Sequence, residues 1–338
     1  MSVTMREVAA KAGVTPTVVS RVLHNKATAI RVSEATAERV RQAAIDLGYR
    51  VNIMARNFRE RQTMMIGVLH GVGFERPLLD RGPRYFASLM DGFIEGAFEN
   101  GYSITLCPKL LGQTPEDAMS DGRFDGLVWY STHPSEENRE MLRRCSVPMV
   151  LIHTRAAEYG NRYPSVTCDN DQGVGLAIDH LVELGHKKIG FAYEAHIPFS
   201  ESFLRAEAFR SHMSRHGLRA GECELVDASD LDNYFAQTPR HTAILGHNET
   251  LAALVMQKAI ERGISVPQQL SVVGFDSTAY CEELSPKLTS IYQPLAEMGR
   301  DAINLLVQSM SGQKPDPLEL IYPCSLDIRG STSIPIGE

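Results

Sequence analysis

The sequence predicts an α/β protein with two lobes built on parallel sheets, preceded by a small all-helical domain. Three observations carry this. From Thr63 onward, short apolar runs alternate with helical patterns, which implies parallel strands joined by crossover helices. The 338 residues exceed one ordinary core, and the stretch after Thr63 is long enough for two lobes. Charge is also divided unevenly. The chain carries a net −7, yet residues 1–61 hold eleven Lys and Arg against five Asp and Glu, which leaves −13 on the remainder. A basic head on an acidic body implies a polyanion-binding module joined to a domain with another task. The expected division is 1–50 for the head, 51–61 for a hinge helix and linker, and 62–338 for the body.

Composition narrows the class. Hydrophobic residues make up 43% and charged residues 22%, the balance of a folded soluble protein. No apolar run approaches the roughly twenty residues of a membrane span. The opening MSVTMREVAAKAG lacks the apolar core of a secretory signal. Six cysteines stand far apart without a CxxC pair, as expected of reduced, mostly buried thiols in a cytoplasm.

The head reads as three helices. In TMREVAAKAGV, Thr4 to Val14, the apolar Val8, Ala9 and Ala12 recur at helical spacing behind Thr4 as N-cap, and Gly13 ends the run. In TPTVVSRVL, Thr15 to Leu23, Thr15 is an N-cap and Pro16 suits the first helical position, where its missing N–H costs nothing. Val18, Val19, Val22 and Leu23 form one stripe; Thr17, Ser20 and Arg21 fall opposite. The third helix runs from Ser33 to Gly48, with Ala37, Val40, Ala44 and Leu47 as its stripe.

Helix, Gly-containing turn, helix is a helix-turn-helix. Its second helix enters the DNA major groove with N-terminal side chains facing base edges. Arg21 suits guanine O6 and N7, Thr17 a base or thymine methyl, and Pro16 apolar contact only. Thr4, Ser20 and the first helix's N-terminus suit phosphates, and Thr15 belongs to the same DNA-binding set. Many helical hairpins bind nothing, so the pattern alone leaves both readings open.

VTMREVAAKAGVTPTVVSRVLHN, VSEATAERVRQAAIDLGY and NIMARNF, taken together, resemble the LacI/GalR family of bacterial transcription regulators. The likeness continues through IGVL, FDGLV, HLVELGHKKIGF, SVVGFDST and LTSIYQP, nearly the whole chain. It implies a periplasmic-binding-protein-like body, two Rossmann-like lobes with a small-molecule effector between them. It also implies a hinge helix that folds on operator DNA and inserts an apolar side chain in the minor groove. By the resemblance Asn25 joins the DNA-contacting set. Asn52, Ala55 and Arg56 match the hinge, and Phe58 stands where a leucine is usual. A phenylalanine wedge is physically reasonable, because apolar side chains unstack and kink DNA this way; packing between two hinge helices is the other reading. The loop HNKATAIRVS exceeds the family's usual link by two or three residues, and its Lys26 and Arg31 suit phosphates.

In the body, strand-like runs are MMIGVL, SITLC, GLVWY, PMVLI, SVTC, KIGFAY, TAILG and LSVVGF. Helices are expected over Tyr85 to Asn100, Asp171 to Leu184, Glu201 to His216, Glu249 to Arg262 and Ala296 to Gln308. Ligands at parallel sheets lie beyond the carboxyl ends of strands. There the resemblance places effector contacts at Arg205, Asn248, Asp276 and Gln293, whose groups suit a polyhydroxylated ligand. Each type also serves structurally, Asn248 as an N-cap and Asp276 in an Asx turn. Phe74, Trp129 and Phe199 are aromatic candidates for effector or core, and Phe275 is assigned to the core.

Two departures fall in the first lobe. HGVGFERPLLDRGPRYF, His70 to Phe86, is longer and richer in charge and proline than the family's usual turn. QTPEDAMSDGRFDG leaves room for only a stub of helix.

No P-loop, HExxH, GxSxG elbow or metal-spaced cluster appears, so neither an enzyme nor a cofactor or metal is expected. A solute-binding protein would explain the body but not the basic head. The expected function is a DNA-binding regulator, acting as a homodimer on a near-palindromic operator. The family's commoner role is repression. Its commonest effectors are sugars and their derivatives, with nucleobases second. Whether the effector releases or tightens the operator is open.

Overall fold

The structure is a computed structural model that describes residues 3–24, 32–50, 57, 62–70, 83–107, 115–130, 136–194, 201–218, 223–237 and 241–336. It divides into a unit of residues 1–63 and a unit of residues 64–338. Asn25, Lys26, Arg31, Asn52, Ala55, Arg56, Phe58, Phe74 and Phe199 lie outside the described residues, as does the middle of the His70–Phe86 segment.

The head holds α1 (Met5–Ala12), α2 (Pro16–His24) and α3 (Glu34–Leu47). Thr4 and Glu7 form a reciprocal capping box, which satisfies two orphan N–H groups of the first turn. Gly13 and Gly48 end α1 and α3 at φ 65° and 66°, the left-handed region that glycine enters without steric cost. The head's core is Val8, Ala9, Ala12, Val19, Val40, Ala43 and Ala44. Ala43 joins the stripe expected for α3, whereas Leu47 is only half-buried.

In the body, the first sheet comprises β1 (Met65–His70), β2 (Ser103–Cys107), β3 (Gly126–Tyr130), β4 (Met149–Ile152), β5 (Ser165–Cys168) and β11 (Glu319–Tyr322). Its order is β11-β5-β4-β3-β1-β2, parallel throughout. The second sheet comprises β6 (Ile189–Tyr193), β7 (Cys223–Asp227), β8 (Ala243–Gly246), β9 (Ser271–Asp276), β10 (Thr289–Tyr292) and β12 (Ser325–Asp327). Its order is β12-β10-β9-β8-β6-β7, and only β12 runs antiparallel. β7, β10, β11 and β12 are strands beyond the eight runs that the sequence pattern marked.

Helices cover both faces of each sheet, so strands are apolar almost throughout. In β3, Leu127 and Trp129 pack with Phe124, Leu142 and Leu151 on one face, while Val128 joins Ile66, Val68 and Phe93 on the other. The helices are α4 (Pro83–Glu99), α5 (Pro115–Ser120), α6 (Glu136–Arg144), α7 (Asn170–Glu183), α8 (Glu201–Arg215), α9 (Leu231–Ala236), α10 (Glu249–Glu261), α11 (Tyr280–Glu283) and α12 (Leu295–Met310). α5 is the stub that QTPEDAMSDGRFDG predicts.

The chain passes between the lobes after β5, after β10 and between β11 and β12. His186 is a buried node: Nδ1 lies 2.9 Å from Thr242 Oγ1 and Nε2 lies 2.9 Å from the Ser333 carbonyl. It ties the start of the second lobe to the returning C-terminal segment.

α4 and α12 pack so closely that a Cβ at Gly92 would lie 2.0 Å from the Ala296 carbonyl oxygen. A Cβ at Gly299 would lie 2.5 Å from the Leu89 oxygen. Both obstacles are backbone, so neither can rotate away. Gly92→Ala should therefore cost about 1–3 kcal/mol through overpacking, read as a lower midpoint in thermal unfolding. An unchanged midpoint would contradict this helix contact.

Candidate functional site

The outward side of α2 is the first candidate site. Thr15, Pro16 and Thr17 are exposed; Ser20 and Arg21 are half-buried at its edge. Val19 is fully buried against the head core, which fixes the roll of the helix. Thr17 and Arg21, one turn apart, therefore share the open side. Thr4 sits at the N-terminus of α1, where backbone N–H groups and the helix dipole favour an anion.

The second candidate lies between the lobes, where strands end. Arg205 on α8 is 3% exposed. Its Nε donates to Asn170 Oδ1 at 2.8 Å, and its Nη1 donates to the His247 carbonyl. Nη1 lies 3.6 Å from Asp276 Oδ1, and Nη2 lies 3.6 Å from Glu201 Oε2. Its guanidinium carbon stands 3.6 Å over the Phe275 ring, a desolvated cation–π contact. Asp276 Oδ1 also accepts from Gln293 Nε2 at 2.6 Å. Three of the four residues carried over from the resemblance thus meet in one buried cluster.

The fourth serves as a cap. Asn248 Oδ1 accepts from Leu251 N at 2.7 Å and caps α10, while its Nδ2 lies 3.1 Å from His247 Nε2. Trp129 corrects an expectation. It is fully buried with Met119, Phe124, Leu142 and Cys145, and it lines no part of the interlobe cavity. Its place on β3, inside the sheet and packed over by these side chains, explains why. Phe275 is core, as expected, although its ring also carries the guanidinium.

The structure adds residues that the sequence reading missed. His153 directly follows β4, Asn170 follows β5, His247 follows β8, and Glu201 opens α8 after β6. Each stands beyond the carboxyl end of a strand, so the rule that located Asp276 could have found them. Tyr85 Oη bonds His153 Nε2. A cavity of about 430 Å³ adjoins the cluster, and His153, Asn170 and Glu201 belong to its wall. Its lining comes from both lobes, with Thr167 and Ile321 on one side and Leu204 and Ser211 on the other.

Electrostatics follow from burial. Desolvation pushes the Asp276 carboxyl up to about 8, against the pull of Arg205. The same effect, aided by the Arg205 charge, pushes His153 and His247 down to about 3, so both are neutral. Burial also raises Glu201. Gln293 Oε1 and both Glu201 oxygens are buried without a hydrogen-bond partner of normal geometry. Asp276 at φ 101°, Ser277 at 48° and His153 at 59° hold left-handed backbone, strain of the kind that gathers at ligand sites.

A head with a helix-turn-helix and a body that encloses polar side chains between two lobes together define a ligand-capturing DNA-binding regulator. Residues 4–52 match the family described as bacterial regulatory proteins, lacI family, and residues 178–332 match a periplasmic binding protein-like domain. The HTH-type transcriptional repressor CytR of Escherichia coli K12 is 30% identical over 343 residues, spanning 97% of this chain and 96% of that protein. Catabolite control protein A of Priestia megaterium is 28% identical over 98% of this chain and all of its own length. Among solved structures, the lac repressor dimer bound to operator and the anti-inducer ONPF superposes with a TM-score of 0.80 at 23% identity, covering 98% of this chain and 100% of that one. The regulator CelR in complex with cellobiose gives 0.69 at 24%, covering 97% and 99%. The chain belongs to the LacI family. Like these relatives it is a DNA-binding transcriptional regulator rather than an enzyme, and it works in the cytoplasm. No helix among the described residues is long and apolar enough to cross a membrane.

The raised Asp276 carboxyl makes a pH prediction. Its folded value of about 8 exceeds the unfolded 3.8, so the folded state holds this proton more tightly. The stability it contributes is complete below 3.8 and is lost as pH rises through 8. His153 and His247 have the opposite sign, and their loss begins only below their ordinary 6.5. Asp276→Asn should therefore gain thermal stability relative to the wild type as pH rises from about 6.5 to about 8.5. A difference that stays flat across this range in thermal unfolding would contradict the assignment.

Proposed function

We propose that the chain represses transcription as a homodimer, with α2 of each head reading one half of a near-palindromic operator and a small polyhydroxylated effector held between the lobes. The observation that carries the effector half is the buried Arg205–Asp276–Gln293 cluster, which offers donors and acceptors beside an interlobe cavity. Cellobiose in the CelR complex is a ligand of this class. For the DNA half, Arg21 reads guanine, Thr17 and Pro16 touch base edges, and Thr4, Thr15, Ser20 and Asn25 hold phosphates. Asn52, Ala55 and Arg56 belong to the hinge, with Phe58 as the minor-groove wedge. Phe74 and Phe199 remain candidates for the effector's apolar face, and Asn248 contributes through the cap it forms.

Dimerisation has its own support. Ile94 and Phe98, four residues apart on α4, are 53% and 83% exposed, and Leu106 on the edge strand β2 is 41% exposed. Large apolar side chains gathered on open surface suit a partner copy. Coupling between effector and operator is reciprocal, each changing the other's affinity by one factor.

The test is selection of duplexes from a random pool by the full-length chain. The expected product is a two-fold site. Arg21→Ala should weaken specific binding by about 1–3 kcal/mol and relax one base position in each half. Identical sequence preference in wild type and variant would remove Arg21 from the readout.

A further inference from the structure

Glu249 is a buried carboxylate outside the Arg205 cluster. It follows the cap Asn248, opens α10 and is 2% exposed. Among the described residues its donors are a backbone N–H, a hydroxyl and a thiol, all from one short turn. Thr278 N donates to Oε2 at 2.8 Å, Thr278 Oγ1 to Oε1 at 2.5 Å, and Cys281 Sγ to Oε2 at 3.2 Å. Burying a carboxylate costs desolvation that an apolar side chain would not incur. Its presence here calls for a role beyond packing.

The turn that it holds is the one that presents Asp276. Asp276 at φ 101° and Ser277 at 48° are left-handed in succession, and neither is a glycine. Such strain persists only where surrounding contacts impose it. Ser277 is tied to Ser290, Asp327 and Arg329 on one side. Glu249 holds the other side. It grips Thr278 directly, and Thr278 Oγ1 in turn accepts from Tyr280 N at the start of α11. A Cβ at Gly274 would lie 3.2 Å from the Glu249 Cα, so β9 and α10 meet closely enough for one side chain to reach the turn.

Asp276 meets charged and titratable groups from several elements: Arg205 and Glu201 on α8, Glu249 on α10, and the Tyr85 hydroxyl on α4. Burial leads the rise of its carboxyl, and the Glu249 charge adds to it. A turn released by Glu249 would admit water to Asp276 and lose both contributions.

We propose that Glu249 is the positioning residue of the effector site: by gripping Thr278 and Cys281 it fixes the turn after β9, so that Asp276 faces Arg205 and the cleft. This rests on the reading of Asp276 as an effector contact. Glu249 acts through Asp276.

The experiment is a double-mutant cycle on the full-length protein, read by thermal unfolding from about pH 6.5 to about 8.5. The gain of Asp276→Asn with rising pH is measured in the wild-type, Glu249→Gln and Thr278→Val backgrounds. Glu249→Gln removes the charge. Thr278→Val keeps the charge and removes the hydroxyl that it holds. Both should shrink the gain by about half or more, because a carboxyl released to water titrates nearer its ordinary value. Glu249→Asp should restore part of it. A merely structural loss would lower the midpoint alike at every pH and leave the gain intact.

The proposal is overturned by an undiminished gain in Glu249→Gln, or by one diminished there but not in Thr278→Val, which would reduce Glu249 to a distant charge. A flat profile in the wild-type background overturns it as well. Should Glu249→Gln fail to fold, Thr278→Val decides alone. The cycle needs no ligand, so it separates this proposal from the effector reading. A sugar that shifts operator affinity equally in wild type and Asp276→Asn would sink the effector role of Asp276 and spare the grip of Glu249 on the turn.

Discussion

Much of the body is organised around one buried guanidinium. Taking Arg205 out of water costs several kcal/mol, and only good geometry offsets that. The structure supplies it from several elements at once: Asn170 after β5, the His247 carbonyl after β8, and Asp276 with the Phe275 face on β9. A single side chain on α8 therefore ties together the ends of strands from both sheets. Breaking any one partner would leave charge or polarity unpaired where water does not reach. The constraint extends to glycine: a Cβ at Gly173 on α7 would lie 2.7 Å from the Phe275 ring, so the ring can sit under the guanidinium only because α7 has none there.

The same place is where the chain crosses between lobes. β5 leads into α7 through Asp169 and Asn170, and β10 leads through Gln293 into α12. Asn170 and Gln293 are thus both crossover residues and members of the polar cluster. A ligand that rearranges the cluster acts directly on the segments about which the lobes can turn. Left-handed backbone at Asp276, Ser277 and His153 shows that these strand ends are held in place by their surroundings rather than by local preference. At the far end of the crossover, α12 packs on α4 through Gly92 and Gly299, so its position is fixed by close backbone contact in the first lobe.

Where the sequence was legible, local chemistry explains it. Thr4, Gly13, Pro16, Ser33 and Gly48 carry capping preferences that act within one turn, and the head helices begin and end on them. The apolar runs of β1, β3 to β6, β8 and β9 are largely buried and stand out from polar helices, while β2 at the sheet edge is marked by its apolar SITLC run alone. The edge strands β7, β11 and β12 do not: they are short and partly exposed, and β11 and β12 form only because a returning segment finds an open edge. Arg205, Asp276 and Gln293 were located by resemblance and by the strand-end rule. Glu201, Asn170, His153 and His247 obey the same rule but have no local signature; what marks them is distance to Arg205, which only the fold sets. Trp129 shows the converse. A lone tryptophan near a strand end looks like a ligand platform, yet in β3 it is packed over by Met119, Phe124, Leu142 and Cys145.

The most direct measurement of this account is amide hydrogen exchange on the full-length protein and Arg205→Met. Gly173 N donates to Asp169 O, His247 N to Ala192 O, and Thr278 N to Glu249 Oε2. If Arg205 anchors these strand ends, the variant should exchange faster at Gly173, His247 and Thr278, by about tenfold or more. Glu7 and Val8 in the head should be unchanged. Unaltered protection at the three body amides, or an equal rise throughout the body, would contradict the claim that this guanidinium is the local anchor of the site.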